Sequence, residues 1–98
     1  MYYTMHHWVA KPGHEDGLIA GLRRLEGVIQ PYVTASYIGR DLARPGSIVA
    51  FVSWANRATY EAFSTHPDAR RIVREAISPH LDADAGGAIT HMEPLPWR

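Results

Sequence analysis

An indole stands at the end of an apolar run in this chain. Trp54 follows residues 48–52, which are continuously apolar, and two helical segments joined at His66 and Pro67 are predicted after it. A buried strand that carries an indole at its end, with helices folded back over it, encloses a lined pocket. The indole could stack on an aromatic ligand and donate one N–H hydrogen bond. We expect any chemistry of this protein to take place beside Trp54.

Histidine is the other residue type that could do chemistry, because the chain contains six and imidazole titrates near neutral pH. His6 and His7 are neighbours on a predicted strand, so only one of them can face a given pocket. A single pocket-facing histidine is expected to act as a general base. In an alternative interpretation, that histidine joins His91 and Glu93 as ligands of a divalent metal ion. The spacing is generic, and no metal site is predicted.

Length and composition indicate a single domain, residues 1–98, with one hydrophobic core. Basic and acidic residues each number 10, so neither nucleic acid nor an anionic membrane is expected as a partner. The chain contains no cysteine, which excludes disulfides, thiolate nucleophiles and cysteine-ligated metal centres. There is no signal-peptide pattern and no apolar run of membrane-spanning length, and a cytoplasmic location is expected.

Residue patterning predicts the order strand, helix, strand, strand, paired helices, strand. β-Branched and aromatic residues indicate the strands. These cover residues 2–10, 32–38, 48–52 and 88–92. Leucine and isoleucine recur at helical spacing after Pro12 and Gly13, and Gly27 and Pro31 are expected to end that helix. Gly21 lies within the helix, where a missing side chain would let another backbone come close.

The segments after Trp54 carry their own start signals. Asn56 is expected to cap the first helix by accepting a hydrogen bond from a backbone N–H of the first turn. His66 is expected to cap the second helix, in which Pro67 takes the first position. The C-terminal segment carries Trp97, which is expected to dock against the domain because an indole is poorly solvated alone.

This order of elements is the split βαβ pattern of a ferredoxin-like α+β sandwich, an antiparallel sheet with helices on one face. The helices of one chain can cover only one face, yet the first and third strands are apolar on both. Val49 and Phe51, for example, point away from the face that carries Ile48 and Val52. Since an apolar sheet face left in water promotes aggregation, we predict a homodimer in which two sheets pack face to face.

Several short motifs follow one another along the chain. Pro12-Gly13 comes after the first strand, the apolar third strand closes on Ser53-Trp54, and Tyr60 precedes a His-Pro joint. In this order the motifs resemble the dimeric α+β barrel superfamily and, within it, the antibiotic biosynthesis monooxygenase family. The resemblance spans nearly the whole chain. It is strongest to the small cofactor-independent monooxygenases that oxidise anthrones and hydroquinones to quinones.

The resemblance implies a set of site residues. The family's pocket uses a tryptophan at the end of this strand, a tyrosine six residues on and an arginine in the following helix. These match Trp54, Tyr60 and Arg74, the last after a one-residue gap. His6 is the implied base, because the first strand lines the site in the relatives. The asparagine that the group carries four residues before the tryptophan is replaced here by Ala50.

The resemblance also implies a reaction between a small aromatic substrate and O₂, with no cofactor. A deprotonated, electron-rich aromatic alcohol can pass an electron directly to dioxygen. Arg74 would supply positive charge, Tyr60 a hydrogen bond, and Trp54 both a stacking surface and its indole N–H. The side chains expected to contact the substrate are Ala50, Phe63, Val73 and Ile77.

Other functions stay open on the same scaffold. A non-catalytic domain would bind a small aromatic molecule, and a polyketide cyclase or isomerase would convert one without consuming oxygen. His66 begins the His-Pro-x-His motif of the stress-responsive barrel group, which includes polyketide cyclases, but Ala69 replaces the second, catalytic histidine. Haem degradation is disfavoured. The haem-degrading relatives require an asparagine, a tryptophan and a haem-ligating histidine, and the corresponding positions here are His6, Phe63 and Val73, two of which lack the required chemistry.

Overall fold

A four-stranded antiparallel sheet forms one layer of the molecule, and the helices form the other. In this computed structural model, which describes residues 1–85 and 87–96, the strands are β1 (Tyr2–Val9), β2 (Val33–Arg40), β3 (Ser47–Trp54) and β4 (Ala88–Met92). Their order in the sheet is β2-β3-β1-β4, the split βαβ arrangement of a ferredoxin-like α+β fold. The predicted fold class is confirmed, whereas the predicted docking of Trp97 lies outside the described residues.

Three α-helices pack on the sheet: α1 (Glu15–Ile29), α2 (Arg57–Ser64) and α3 (Pro67–Ile72). None of the described helices is long and apolar enough to cross a membrane. Gly27 was expected to end α1, but it lies inside the helix, which continues to Ile29. The reason is that one glycine weakens a helix without stopping it. The stop comes at a 3₁₀ turn that contains Pro31.

Both predicted helix caps are confirmed. At the start of α2, the side-chain oxygen of Asn56 accepts a hydrogen bond from the backbone N–H of Thr59 at 2.9 Å. At the start of α3, Nδ1 of His66 accepts one from the backbone N–H of Asp68 at 3.1 Å. Each cap satisfies a donor that has no partner within the first helical turn.

After α3 the backbone widens into a π-helical turn, Val73–Ile77. A glycine lets this turn lie directly on α1, because a Cβ built at Gly21 would overlap the carbonyl oxygen of Ala76. The prediction that Gly21 admits a neighbouring backbone is therefore confirmed. π-Helical turns are rare and occur frequently at functional sites.

Alternation along the central strands divides their side chains between the two faces of the sheet. The helix-facing side chains form antiparallel pairs: Tyr2 with Trp54, Thr4 with Val52, His6 with Ala50 and Trp8 with Ile48. The opposite face carries Tyr3, Met5, Val49 and Phe51, all partly exposed. Tyr37 on β2 pairs with Phe51 on that face and is 66% exposed. The helix-facing side is therefore the better covered of the two.

We predict that Gly21→Ala lowers the free energy of unfolding by about 1–3 kcal/mol, because the added methyl group forces the π-helical turn away from α1. Gly27→Ala is the matched control in the same helix, since a Cβ there meets nothing within 4 Å. Alanine should stabilise that position by up to about 1 kcal/mol. Urea unfolding followed by circular dichroism measures both variants, and equal stabilities would contradict the close packing.

Candidate functional site

A cavity of about 510 Å³ lies between the sheet and the helices. This volume is within the range of small-molecule sites. Much of its wall is apolar and comes from α1, α2, β2 and β3, including Leu22, Leu25, Ile29, Ile38, Val52 and Phe63. The polar side chains at the wall include His6, Tyr60, Arg70 and Arg74. We call this space the main cavity.

Trp54 forms part of the cavity wall and is held there rigidly. Its side chain is 1% exposed, and its Nε1 donates a hydrogen bond to Oγ1 of Thr4 at 3.0 Å. The expectation that this N–H serves a substrate is therefore wrong, because a buried hydroxyl on the neighbouring strand already accepts it. Because almost none of its surface is exposed, Trp54 shapes the wall from within the core and offers a ligand little of the expected stacking surface.

Tyr60 lies where the main cavity approaches a smaller, more polar one. Its ring packs edge-on against Trp54, with centroids 5.2 Å apart, and it also borders the second cavity of about 360 Å³. Burial raises the pKa of Tyr60 above 10.0, with smaller contributions from Tyr2 and Glu61. The phenol therefore stays protonated at neutral pH and can donate a hydrogen bond.

His6 borders the main cavity from β1, as predicted. Burial lowers its pKa to about 4, with smaller contributions from His91 and His7. The imidazole is therefore neutral at physiological pH and keeps one nitrogen able to accept a hydrogen bond, while burial makes it a weaker base than an exposed histidine. Its ring lies parallel to the indole of Trp8, with centroids 5.6 Å apart.

Arg74 borders the main cavity from the π-helical turn. Its side chain is 71% exposed, with Nη2 at 3.9 Å from a carboxylate oxygen of Glu75. Arg70 borders the same cavity from α3, and its Nε donates to the backbone carbonyl of Ser64 at 3.4 Å. Sequence reasoning missed Arg70, although its four-residue spacing from Arg74 would have placed both on one helix face.

Three of the four side chains expected to contact the substrate lie at the main cavity, and the fourth does not. Ala50, Phe63 and Val73 line the main cavity. Ile77 is instead fully buried against α1, because the π-helical turn and the missing side chain of Gly21 draw it into the core. Trp8, which was not predicted as a site residue, lines the cavity. Its spacing from His6 on one strand could have revealed it.

The alternative metal site has no support in the described part of the chain. No group of three or more histidine, aspartate or glutamate side chains is placed there to hold an ion. His91 shares the helix-facing side of the sheet with His6, as expected from its pairing with Thr4. Its Nδ1 is engaged with the hydroxyl of Tyr2 at 2.6 Å.

The buried imidazole of His6 predicts a loss of stability in acid. Between pH 6.5 and about 4, the unfolded chain binds a proton that folded His6 does not, so the free energy of unfolding falls as the pH falls. The full shift corresponds to roughly 3 kcal/mol. His6→Phe should flatten this dependence in urea titrations across the window, whereas the control His14→Phe, at an exposed position, should retain it. An unchanged slope in His6→Phe would contradict the assignment.

Solved structures share this architecture over nearly the whole chain. One, named an antibiotic biosynthesis monooxygenase, is 21% identical with a TM-score of 0.81, over 98% of this chain and 100% of that chain. A protein from Deinococcus radiodurans, provisionally named in the same way, is 16% identical with a TM-score of 0.80. The match covers 100% of this chain and 96% of that chain. Another such protein, from Caulobacter crescentus CB15, is 9% identical with a TM-score of 0.86. The match covers 96% of this chain and 89% of that chain.

Neither a protein-family model nor a curated protein matches the sequence. At these identities the likeness to solved structures establishes architecture, and function has to be argued from the site. The resemblance drawn from the short motifs of the sequence is confirmed at the level of the fold. This chain has the ferredoxin-like α+β fold of structures named as antibiotic biosynthesis monooxygenases.

Proposed function

We propose that this protein is a cofactor-independent monooxygenase of the antibiotic biosynthesis monooxygenase family, which oxidises a phenolic, anthrone or quinol-like aromatic with O₂. The observation that carries the proposal is the main cavity, about 510 Å³ of largely apolar space beside Trp54. A flat aromatic molecule fits such a space, with polar groups placed at a few points of the wall. The names of the structural neighbours support the same reaction class.

The reaction needs no reductant other than its substrate. In the anthrone case, a methylene group loses two hydrogens and gains one oxygen atom, while the second oxygen atom leaves as water. The deprotonated substrate gives one electron to O₂, the resulting pair combines to a peroxide, and loss of water from the peroxide forms the carbonyl. The protein's part is to favour the deprotonated substrate and to exclude bulk water.

The polar residues of the main cavity suit those tasks. Neutral His6 can accept a hydrogen bond from a substrate hydroxyl or enol, although its lowered pKa makes it a weak base for removing that proton. Tyr60 stays protonated and can donate a hydrogen bond to the oxygen on which negative charge develops. Arg70 and Arg74 add positive charge at the cavity. The charge of Arg74 is partly screened by water, because its side chain is largely exposed.

Oxygen uptake in the presence of hydroquinones and anthrones tests the proposal. With an anthrone we expect one O₂ consumed per quinone formed, one atom of ¹⁸O₂ in the product, and no released hydrogen peroxide. A hydroquinone that becomes its quinone gains no oxygen atom, so its oxidation should consume one O₂ and release one hydrogen peroxide without ¹⁸O in the product. A cyclase or isomerase would convert its substrate without oxygen uptake. A non-catalytic binding domain would bind these molecules without turnover. Absence of enzyme-dependent oxygen uptake across the panel would contradict the proposal.

We predict that Arg74→Gln lowers kcat/KM for quinone formation by about tenfold, less than the loss from removing a fully buried oxyanion donor, since water screens this guanidinium. Arg71→Gln is the matched control. This variant removes an arginine from the same stretch, and kcat/KM should stay at the wild-type value. The reason is that the Arg71 guanidinium, which is 55% exposed, pairs with Asp68 at 3.4 Å. Equal rates for Arg74→Gln and the wild type would exclude Arg74 from the reaction.

We also propose that two copies of the chain pack through the exposed sheet face. That face carries apolar and aromatic side chains on both central strands, and the rings of Tyr3 and Phe51 lie 5.5 Å apart on it. Tyr37 adds a largely exposed ring beside them. A second sheet of the same kind would remove these side chains from water.

Phe51→Asp tests the homodimer, because it places a charge at the centre of this face. We expect a dimer for the wild type and a monomer for the variant in sedimentation velocity. Leu42→Asp is the control, at a position that is 97% exposed in the loop between β2 and β3. It should leave the dimer intact. A stable, soluble wild-type monomer would contradict the proposed interface.

A further inference from the structure

Trp8 carries a buried hydrogen-bond donor without an acceptor. Its Nε1 is covered and has no hydrogen-bond partner among the described residues. A buried N–H without a partner has lost its bonds to water and gained none in return, so such a group requires an explanation. Trp54 shows the contrast, since its N–H is donated to Thr4 at 3.0 Å.

The position of Trp8 relates this donor to the main cavity. The side chain is on the helix-facing side of β1 and forms part of the cavity wall. Its ring lies at 5° to the imidazole of His6, also at the wall. A ligand in this part of the cavity would lie near the indole ring, whose unpaired N–H is covered in the present ring position.

A neighbouring cavity leaves the indole room to move. This strand-4 cavity, of about 480 Å³, is lined from β1, β4 and the segment after the π-helical turn, including Leu81, Ala88 and Ile89. His6 and Trp8 border both this cavity and the main one. Because Nε1 is covered in the present ring position, it reaches an acceptor in the main cavity only when the indole turns.

We propose that Trp8 is the oxygen-recognising donor of the main cavity: its indole turns when an aromatic ligand with a carbonyl or phenolate oxygen binds, and donates its N–H to that oxygen. The proposal rests on the proposed function in one respect, since it places an oxygen-bearing aromatic in that cavity. Trp54 then shapes the wall, while Trp8 distinguishes oxygenated ligands from hydrocarbons of the same shape.

Anaerobic binding of two ring-matched probes tests the proposal. Anthrone carries one carbonyl oxygen, and 9,10-dihydroanthracene has the same three-ring skeleton without it. We expect Trp8→Phe to weaken anthrone binding about tenfold, as the loss of one hydrogen bond would, and to leave the hydrocarbon within about twofold. Both probes lose the same packing contacts when phenylalanine replaces tryptophan. The ratio of their two affinity losses therefore reports the hydrogen bond alone. Trp54→Phe, as the control, should weaken both probes by the same factor.

Two further measurements separate recognition from a structural role. Trp8→Phe removes an unpaired donor, so it should lower Tm less than Trp54→Phe, which leaves the Thr4 hydroxyl without its donor. In proton–nitrogen NMR spectra, anthrone should move the indole N–H signal of Trp8 downfield. The signal of Trp54, which is already hydrogen-bonded, should keep its position. Each indole signal is assigned from its loss in the matching phenylalanine variant.

An equal loss of affinity for both probes in Trp8→Phe would overturn the proposal, and so would the absence of anthrone binding by the wild type. Failure of the proposed function would look different. If anthrone binds through Trp8 but is not oxidised in air, the monooxygenase assignment falls and the role of Trp8 stands.

Discussion

The hydrogen bond from the indole of Trp54 to the hydroxyl of Thr4 joins the two central strands on the side that faces the helices. Both side chains are almost completely buried, so this bond acts where water cannot replace it. It fixes the ring that Tyr60 and Phe63 pack against. One cluster of the core forms around this ring. A second cluster forms near the start of β3, and residues of both line the main cavity.

The π-helical turn determines what faces that cavity from the helical layer. A π-turn differs in length by one residue from an α-helical turn, and the turn begins at Val73, within the interval between Tyr60 and Arg74. The one-residue gap in the family comparison falls in the same interval. Gly21 permits the turn to lie directly on α1. Helix geometry thus brings Arg74 to the cavity and Ile77 to the core.

Local patterns predicted much of the fold, because they involve residues close together in the sequence. The strands follow from β-branched and aromatic content, and the caps at Asn56 and His66 from bonds within one helical turn. The partner of the Trp54 N–H could not be found in that way, since Thr4 lies 50 positions earlier. The burial of Ile77 was missed for a related reason, because a continuous α-helical period was assumed where the backbone adopts a π-turn.

The sheet pairs the first strand with the last one described. β1 lies between β3 and β4, and a hydrogen bond near its start joins Tyr2 to His91, 89 positions later. During synthesis, the edge of this central strand that faces β4 therefore stays unpaired until residues 88–92 have left the ribosome. Until then, this edge of β1, from Tyr3 to His7, stays open to nascent-chain chaperones and to mispairing.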